Sequence, residues 1–296
     1  MNDQRNFVGY GKKDFKVVWP NNAKLAVQFV LNYEEGGENC VLNGDKYSES
    51  FLSEIIGAKP IEGRHMNMES IYEYGSRRGF WRIYNNFVER KIPLTIFAVG
   101  LALKKNSEVC SAIKESNFEV ASHNLRWIDY QFVDEKIETE HILKSNEIIK
   151  EIFGSYPKGW YTGRTSPNSR RLVIENTNVI YDSDSYSDDL PYWENISNKK
   201  HLVIPYTLDN NDMRFATSQG FNSGDQFFNY LRDSFDCLYN EGDTYPKMMN
   251  IGLHCRLIGR PGRMKSLLNF LDYIQKFNIW ICKREEIADY WYKNYH

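Results

Sequence analysis

Two glutamates side by side, Glu34 and Glu35, close the apolar run Lys24 to Tyr33 and are followed at once by Gly36 and Gly37. Neighbouring carboxylates suit general-base work, because like charges held together raise the pKa of one of them and strengthen it as a base. His123 and His254 can exchange protons near neutral pH. Arg164 offers a fixed positive charge, and Asp182 and Asp184 fall at the acidic stretch DSDSYSDD. Such a set holds the ingredients of general acid–base chemistry. Each member alone has an ordinary reading: a solvated turn for EEGG, a satisfied structural histidine, a surface ion pair, an acidic loop.

Position lifts the set above those readings. Ala26, Val27, Phe29, Val30 and Leu31 are too continuous for a half-exposed strand, so both faces are covered, as in a parallel sheet wrapped by helices. Further apolar strands are predicted over 94–99, 118–122, 158–162, 179–182, 201–207, 248–253 and 279–282. Helical spacing falls between them, over 68–91, 101–116, 134–153, 167–176, 224–241, 261–277 and 285–295, the first weakened by Gly75 and Gly79. In the helix over 134–153 the predicted buried stripe is Ile137, His141, Ile142, Ile148, Ile149 and Ile152. The alternation predicts one α/β barrel or near-barrel over 1–296, with an N-terminal arm over about 1–23. Glu34, His123, Arg164, Asp182, Asp184 and His254 then all lie at C-terminal strand ends, where barrels gather their catalytic groups.

The charge balance, 37 basic against 39 acidic residues, speaks against nucleic acid or an anionic membrane as partner and for a small, neutral or modestly polar substrate. No signal-length apolar core opens the sequence, which predicts a cytoplasmic location with no membrane partner. The odd, scattered cysteines (Cys40, Cys110, Cys237, Cys255, Cys282) indicate neither a disulfide framework nor a zinc knuckle.

The motifs carry a resemblance. Asn32-Tyr33-Glu34-Glu35-Gly36-Gly37 resembles the T-F-D-D-G-P motif of polysaccharide deacetylases, and Ser122 to Trp127 lies where that family has His-Ser/Thr-x-x-His. Arg164-Thr165-Ser166-Pro167-Asn168 resembles its Arg-x-Pro-Tyr motif with an extra residue, and Leu253-His254 its closing Leu-His. Longer words such as NYEEGGENCVLNGD, SHNLRWIDY and GLHCRLIGRPGR look like the cofactor-independent allantoinase branch of the superfamily.

That resemblance implies a distorted (β/α)7 TIM-like barrel of the polysaccharide deacetylase type, opening of the hydantoin ring of allantoin to allantoate, and a homotetramer. It implies Glu34 as base, Arg164 as the residue that orients it, and His254 as acid. Glu35, His123, Trp127 and Asp184 are then expected to bind substrate. The family's metal ligands fall at Glu35, His123 and Trp127, and an indole has no lone pair for a metal, so no metal or other cofactor is expected unless Glu34 is recruited as a ligand. Two other readings stay open: a metal-dependent deacetylase of chitooligosaccharide or peptidoglycan, and a non-catalytic binding module. The segments 38–64 and 185–200 are expected to cover the cleft.

Overall fold

The computed structural model describes residues 5–12 and 14–296, so residues 1–4 and 13 of the predicted arm lie outside the described residues. The central strand is β1 (Leu25–Tyr33), every residue of which is buried. Its side chains alternate between two compartments. Val27, Phe29, Leu31 and Tyr33 enter the main apolar core, while Gln28 and Asn32 face inward and bond to Arg284 and Tyr206. A run covered on both faces has no need of polar alternation, hence its continuity in sequence.

The remaining strands are β2 (Thr95–Ala98), β3 (Glu119–Ser122), β4 (Gly159–Trp160), β5 (Tyr181–Asp182), β6 (Tyr192–Ile196), β7 (Lys199–Val203), β8 (Lys247–His254) and β9 (Ile279–Ile281). Their order is β6-β7-β5-β4-β3-β2-β1-β8, with β9 beside β1. Every pairing is parallel except β6 with β7, so β7 through β8 form the expected distorted (β/α)7 sheet, curled into a half-barrel. Among the described residues β7 and β8 do not pair; the chain after β7 spans the gap, with Asn211 bridging to Gly252.

The helices are α1 (Met66–Tyr74), α2 (Phe80–Glu89), α3 (Gly100–Lys105), α4 (Ser107–Glu115), α5 (Glu135–Phe153), α6 (Ser169–Asn176), α7 (Gly224–Glu241), α8 (Pro261–Ile274) and α9 (Arg284–Asn294). No helix among the described residues is long and apolar enough to cross a membrane. The helix predicted over 101–116 divides at Asn106, whose side chain caps α4 by accepting from Val109 N. On α5 the buried face is rotated from the predicted stripe: Ile137 is 47% exposed, whereas Glu138 is fully buried, accepting from the Ser166 and Ser169 hydroxyls. Paired hydroxyls meet the cost of burying that carboxylate.

Segment 185–200 differs from expectation. Part of it is strand β6, turning on Ser197 and Asn198, both at positive φ, into an antiparallel hairpin with β7. Within that segment only Tyr186 lines the cavity described below. Phe15 and Trp19 of the arm pack on Trp291 of α9, and so belong to this chain's own core.

Between α1 and α2 the helix widens into a π turn, Gly75–Gly79. A Cβ on Gly75 would lie 2.3 Å from Glu35 Oε1, and one on Gly79 1.9 Å from the Cys255 carbonyl oxygen. These glycines let the helix seat itself on the two loops that carry Glu35 and His254. Gly79→Ala is therefore expected to lower stability by about 1–3 kcal/mol, because backbone must move to admit the methyl; a thermal melt matching the parent protein would show that the seat is not tight.

Candidate active site

β1 ends at Tyr33, and a tight turn follows in which Gly37 N bonds back to Glu34 O and Gly36 adopts φ +102°. The turn is held from outside. Trp127 N and Arg126 Nε both donate to Gly37 O, tying the segment after β3 to the segment after β1. From this turn Glu34 points into the barrel mouth and Glu35 toward Gly75.

A cavity of about 310 Å³ lies at that mouth, in the lower part of the usual range for small-ligand sites. Glu34, His123 and His254 line it, with aromatic walls from Phe51, Trp127, Tyr161, Tyr186 and Tyr206 and with Arg164 and Asn211 as further polar groups. Glu34 Oε1 lies 3.3 Å from His123 Nε2 and 3.5 Å from His254 Nε2. Each imidazole is anchored by its other nitrogen. His123 Nδ1 donates to the Tyr161 carbonyl at 2.9 Å, and His254 Nδ1 meets Asp212 Oδ1 at 2.6 Å.

Asp212 is fully buried and also accepts from the backbone N–H groups of His254 and Ile258. Burial would lower the His254 pKa, but the Asp212 carboxylate and then Glu34 raise it to about 9. The imidazole is thus charged at neutral pH, the state of a general acid. Burial would likewise raise Glu34. The Arg256 guanidinium, His254 and the hydrogen bond from His123 outweigh it and hold this carboxyl well below the usual carboxylate range. Burial raises Glu35, with Arg256 opposing and the Glu34 charge adding to the rise. Of the pair it is Glu35 that is pushed up, chiefly by burial, while Glu34 is held down. The site holds an ionised carboxylate facing a protonated imidazole, the arrangement that base and acid need.

The structure brings Glu34, His123, Trp127, Arg164 and His254 to one cavity and leaves two expected binding residues outside its lining. Glu35 is buried behind the wall, where Oε2 accepts from Glu34 N and Oε1 faces Arg256. Asp184 accepts from Thr162 N and Gly163 N, so it shapes the loop that carries Arg164. Asp182 is engaged with Arg170 and His201. Arg164 does not orient Glu34: its ion pair is with Glu49, at 3.4 Å, and its guanidinium lies 5.1 Å above the Trp127 ring. Cys255 is a buried thiol whose pKa burial raises, which leaves it inert as a nucleophile.

The residue that does hold Glu34 is Arg256, two positions beyond His254 and fully buried. Its Nη2 lies 2.7 Å from Glu34 Oε2, off the hydrogen-bonding direction, and Nη1 lies 3.5 Å from Glu35 Oε1. Nε donates to the Leu52 carbonyl, and the guanidinium stacks over Tyr72 at 4.2 Å and Trp127 at 5.2 Å. Asp212 and Arg256 are the members that sequence reasoning missed. The amide-rich cluster before Asp212 marks its loop, but a charged residue at a loop position carries no periodic signal that assigns it a partner.

Comparison with known proteins places this geometry in a family. A family profile described as Polysaccharide deacetylase matches residues 67–178. A Schizosaccharomyces pombe protein bearing a polysaccharide deacetylase name is 46% identical, over 92% of both chains. The solved structure of a probable polysaccharide deacetylase from Pseudomonas aeruginosa PAO1 is similar at 55% identity and TM-score 0.97, over 99% of both chains. The solved structure of PuuE allantoinase is similar at 52% identity and TM-score 0.98, over 100% of this chain and 99% of that one. A deacetylase and an allantoinase are both hydrolases, and the family domain together with the allantoinase likeness makes this chain a hydrolase acting on carbon–nitrogen bonds.

The divalent ion that deacetylases of this family hold does not fit the residues present. Of the positions concerned, Glu35 is turned toward Arg256 and Trp127 offers no lone pair. Among the described residues no group of three His, Cys, Asp or Glu side chains is disposed to hold a metal ion. By its full-length relatives, the chain belongs to the polysaccharide deacetylase family, and its sequence and fold are consistent with a PuuE-type allantoinase.

Proposed function

We propose that this protein opens the hydantoin ring of allantoin to allantoate without a metal ion. The observation that carries the reading is the cavity: small, aromatic-walled and equipped with Glu34 against His254, in a chain that matches an allantoinase from end to end. A planar ring edged with N–H and C=O groups suits it, whereas a polysaccharide requires a long groove.

In this reading Glu34 Oε1 takes a proton from a water as it attacks the ring carbonyl. His123, fixed through the Tyr161 carbonyl, holds Oε1 from one side. His254 then delivers its Nε2 proton to the departing ring nitrogen, and Asp212 balances the charge of the imidazolium before that transfer. Trp127, stacked on Phe51 at 5.9 Å, gives the ring an apolar face, and Arg164 above it offers a donor to a substrate carbonyl. Water excluded by these walls cannot screen the charges that develop.

Purified protein treated with a chelator is expected to convert allantoin to allantoate at an undiminished rate and to release no acetate from acetylated chitooligosaccharides. Acetate release with no allantoin turnover would overturn the assignment.

A further inference from the structure

A fully buried guanidinium is costly unless anions and acceptors surround it, and Arg256 has two carboxylates, a carbonyl and two aromatic faces. Those neighbours are informative. Glu35 and Trp127 stand at two of the positions where the family's ion would be bound, and Arg256 touches the carboxylate of one and the ring of the other. It also reaches the outer oxygen of Glu34, the face turned away from the two imidazoles. Arg256 itself is absent from the cavity wall, so it acts on Glu34 and not on substrate.

We propose that Arg256 is a built-in cation standing in the place of the metal ion, a positioning residue that neutralises the Glu34–Glu35 pair and presents Glu34 Oε1 to the cavity. A divalent ion both balances carboxylates and acts as a Lewis acid; a guanidinium behind the wall supplies only the first. The reaction is then left to the base and the acid. The π turn belongs to the same device, since Gly75 makes room for Glu35 and Gly79 for the loop from which Arg256 projects.

The mechanistic half of this inference rests on the allantoinase reading, but its geometric half does not, and metal binding tests the latter without any substrate. Trp127→His restores the family's second histidine but leaves Arg256 in place, and is expected to bind zinc no better than the parent protein in a calorimetric titration. Arg256→Ala combined with Trp127→His removes the resident cation and is expected to bind about one zinc per chain at least 100-fold more tightly than Trp127→His alone, given three ligands of the kind zinc sites use. Equal zinc affinity in the two variants overturns the proposal, as does absence of zinc from the double variant when its circular dichroism shows it folded. Arg256→Lys keeps the charge but loses the fork, and guards against misfolding of the alanine variant. With allantoin it is expected to lower kcat at least 10-fold while KM stays within about 3-fold, because Arg256 touches no substrate. An unchanged kcat, or a loss confined to KM, overturns the positioning role. Zinc results as expected together with no allantoin turnover by the parent protein would sink the substrate reading and leave the built-in cation standing.

Discussion

Glu34→Gln is expected to lower kcat for ring opening by about 10²–10⁴-fold, the usual contribution of a general base, with a much smaller change in KM. The amide keeps the volume and planarity of the carboxylate but cannot accept the water's proton. No neighbour can take over. Glu35 is buried behind the wall, occupied by Glu34 N and Arg256, and Glu38 accepts from Gly36 N at 2.6 Å, away from the cavity lining. Steady-state kinetics on the folded variant decide the matter: near-normal turnover would remove Glu34 from the chemistry.

His254→Ala should cost a comparable factor, about 10²–10⁴ in kcat, since protonation of the leaving nitrogen would fall to solvent. The pH profile carries the finer information. Activity requires charged His254, whose pKa in the free protein stands at about 9, so the alkaline limb of kcat/KM should fall there. Asp212→Asn removes the largest favourable charge and should move that limb down toward the ordinary histidine value near 6.5, lowering the rate at pH 8 by roughly 10-fold or more. Stability should follow the same group. Because the folded pKa lies above the unfolded one, the His254 contribution is fully present below about pH 6.5 and is lost as pH rises through 9. Denaturant melts between those pH values should show the loss in the parent protein and a smaller one in Asp212→Asn.

The strands were legible in the sequence because burial on two faces leaves unbroken apolar runs: β1, β2 and β3 lie within the predicted segments, and β8 exceeds its predicted span of 248–253 by one residue at each end. Glu34, His123 and His254 could be located because each directly follows, or ends, such a run. The hairpin of β6 was not legible, since Tyr192–Ile196 is an edge strand of mixed polarity without a covered face to imprint a pattern. The direction of the Glu34 shift was illegible for a related reason. It depends on Arg256, which lies 222 positions away in the chain, and proximity of that kind exists only once β1 and β8 pair along their length. Arg284 is a further case: it lies just before the helix predicted over 285–295, and in the structure its buried side chain is bonded to Gln28, Asn250, Ser183 and the carbonyl of Pro205.

The Asp212 carboxylate has one more meaning when the open side of the sheet is considered. It sits on the chain that spans the gap between β7 and β8, and its bonds to His254 N, His254 Nδ1 and Ile258 N fasten that chain to the end of β8. The latch that closes the half-barrel and the counter-ion that charges the acid are therefore one group. Fraying at this seam discharges His254, and discharging His254 loosens the seam, so the two processes share a single equilibrium. Any opening of this seam is therefore expected to remove the acid's charge along with the contact that holds β8.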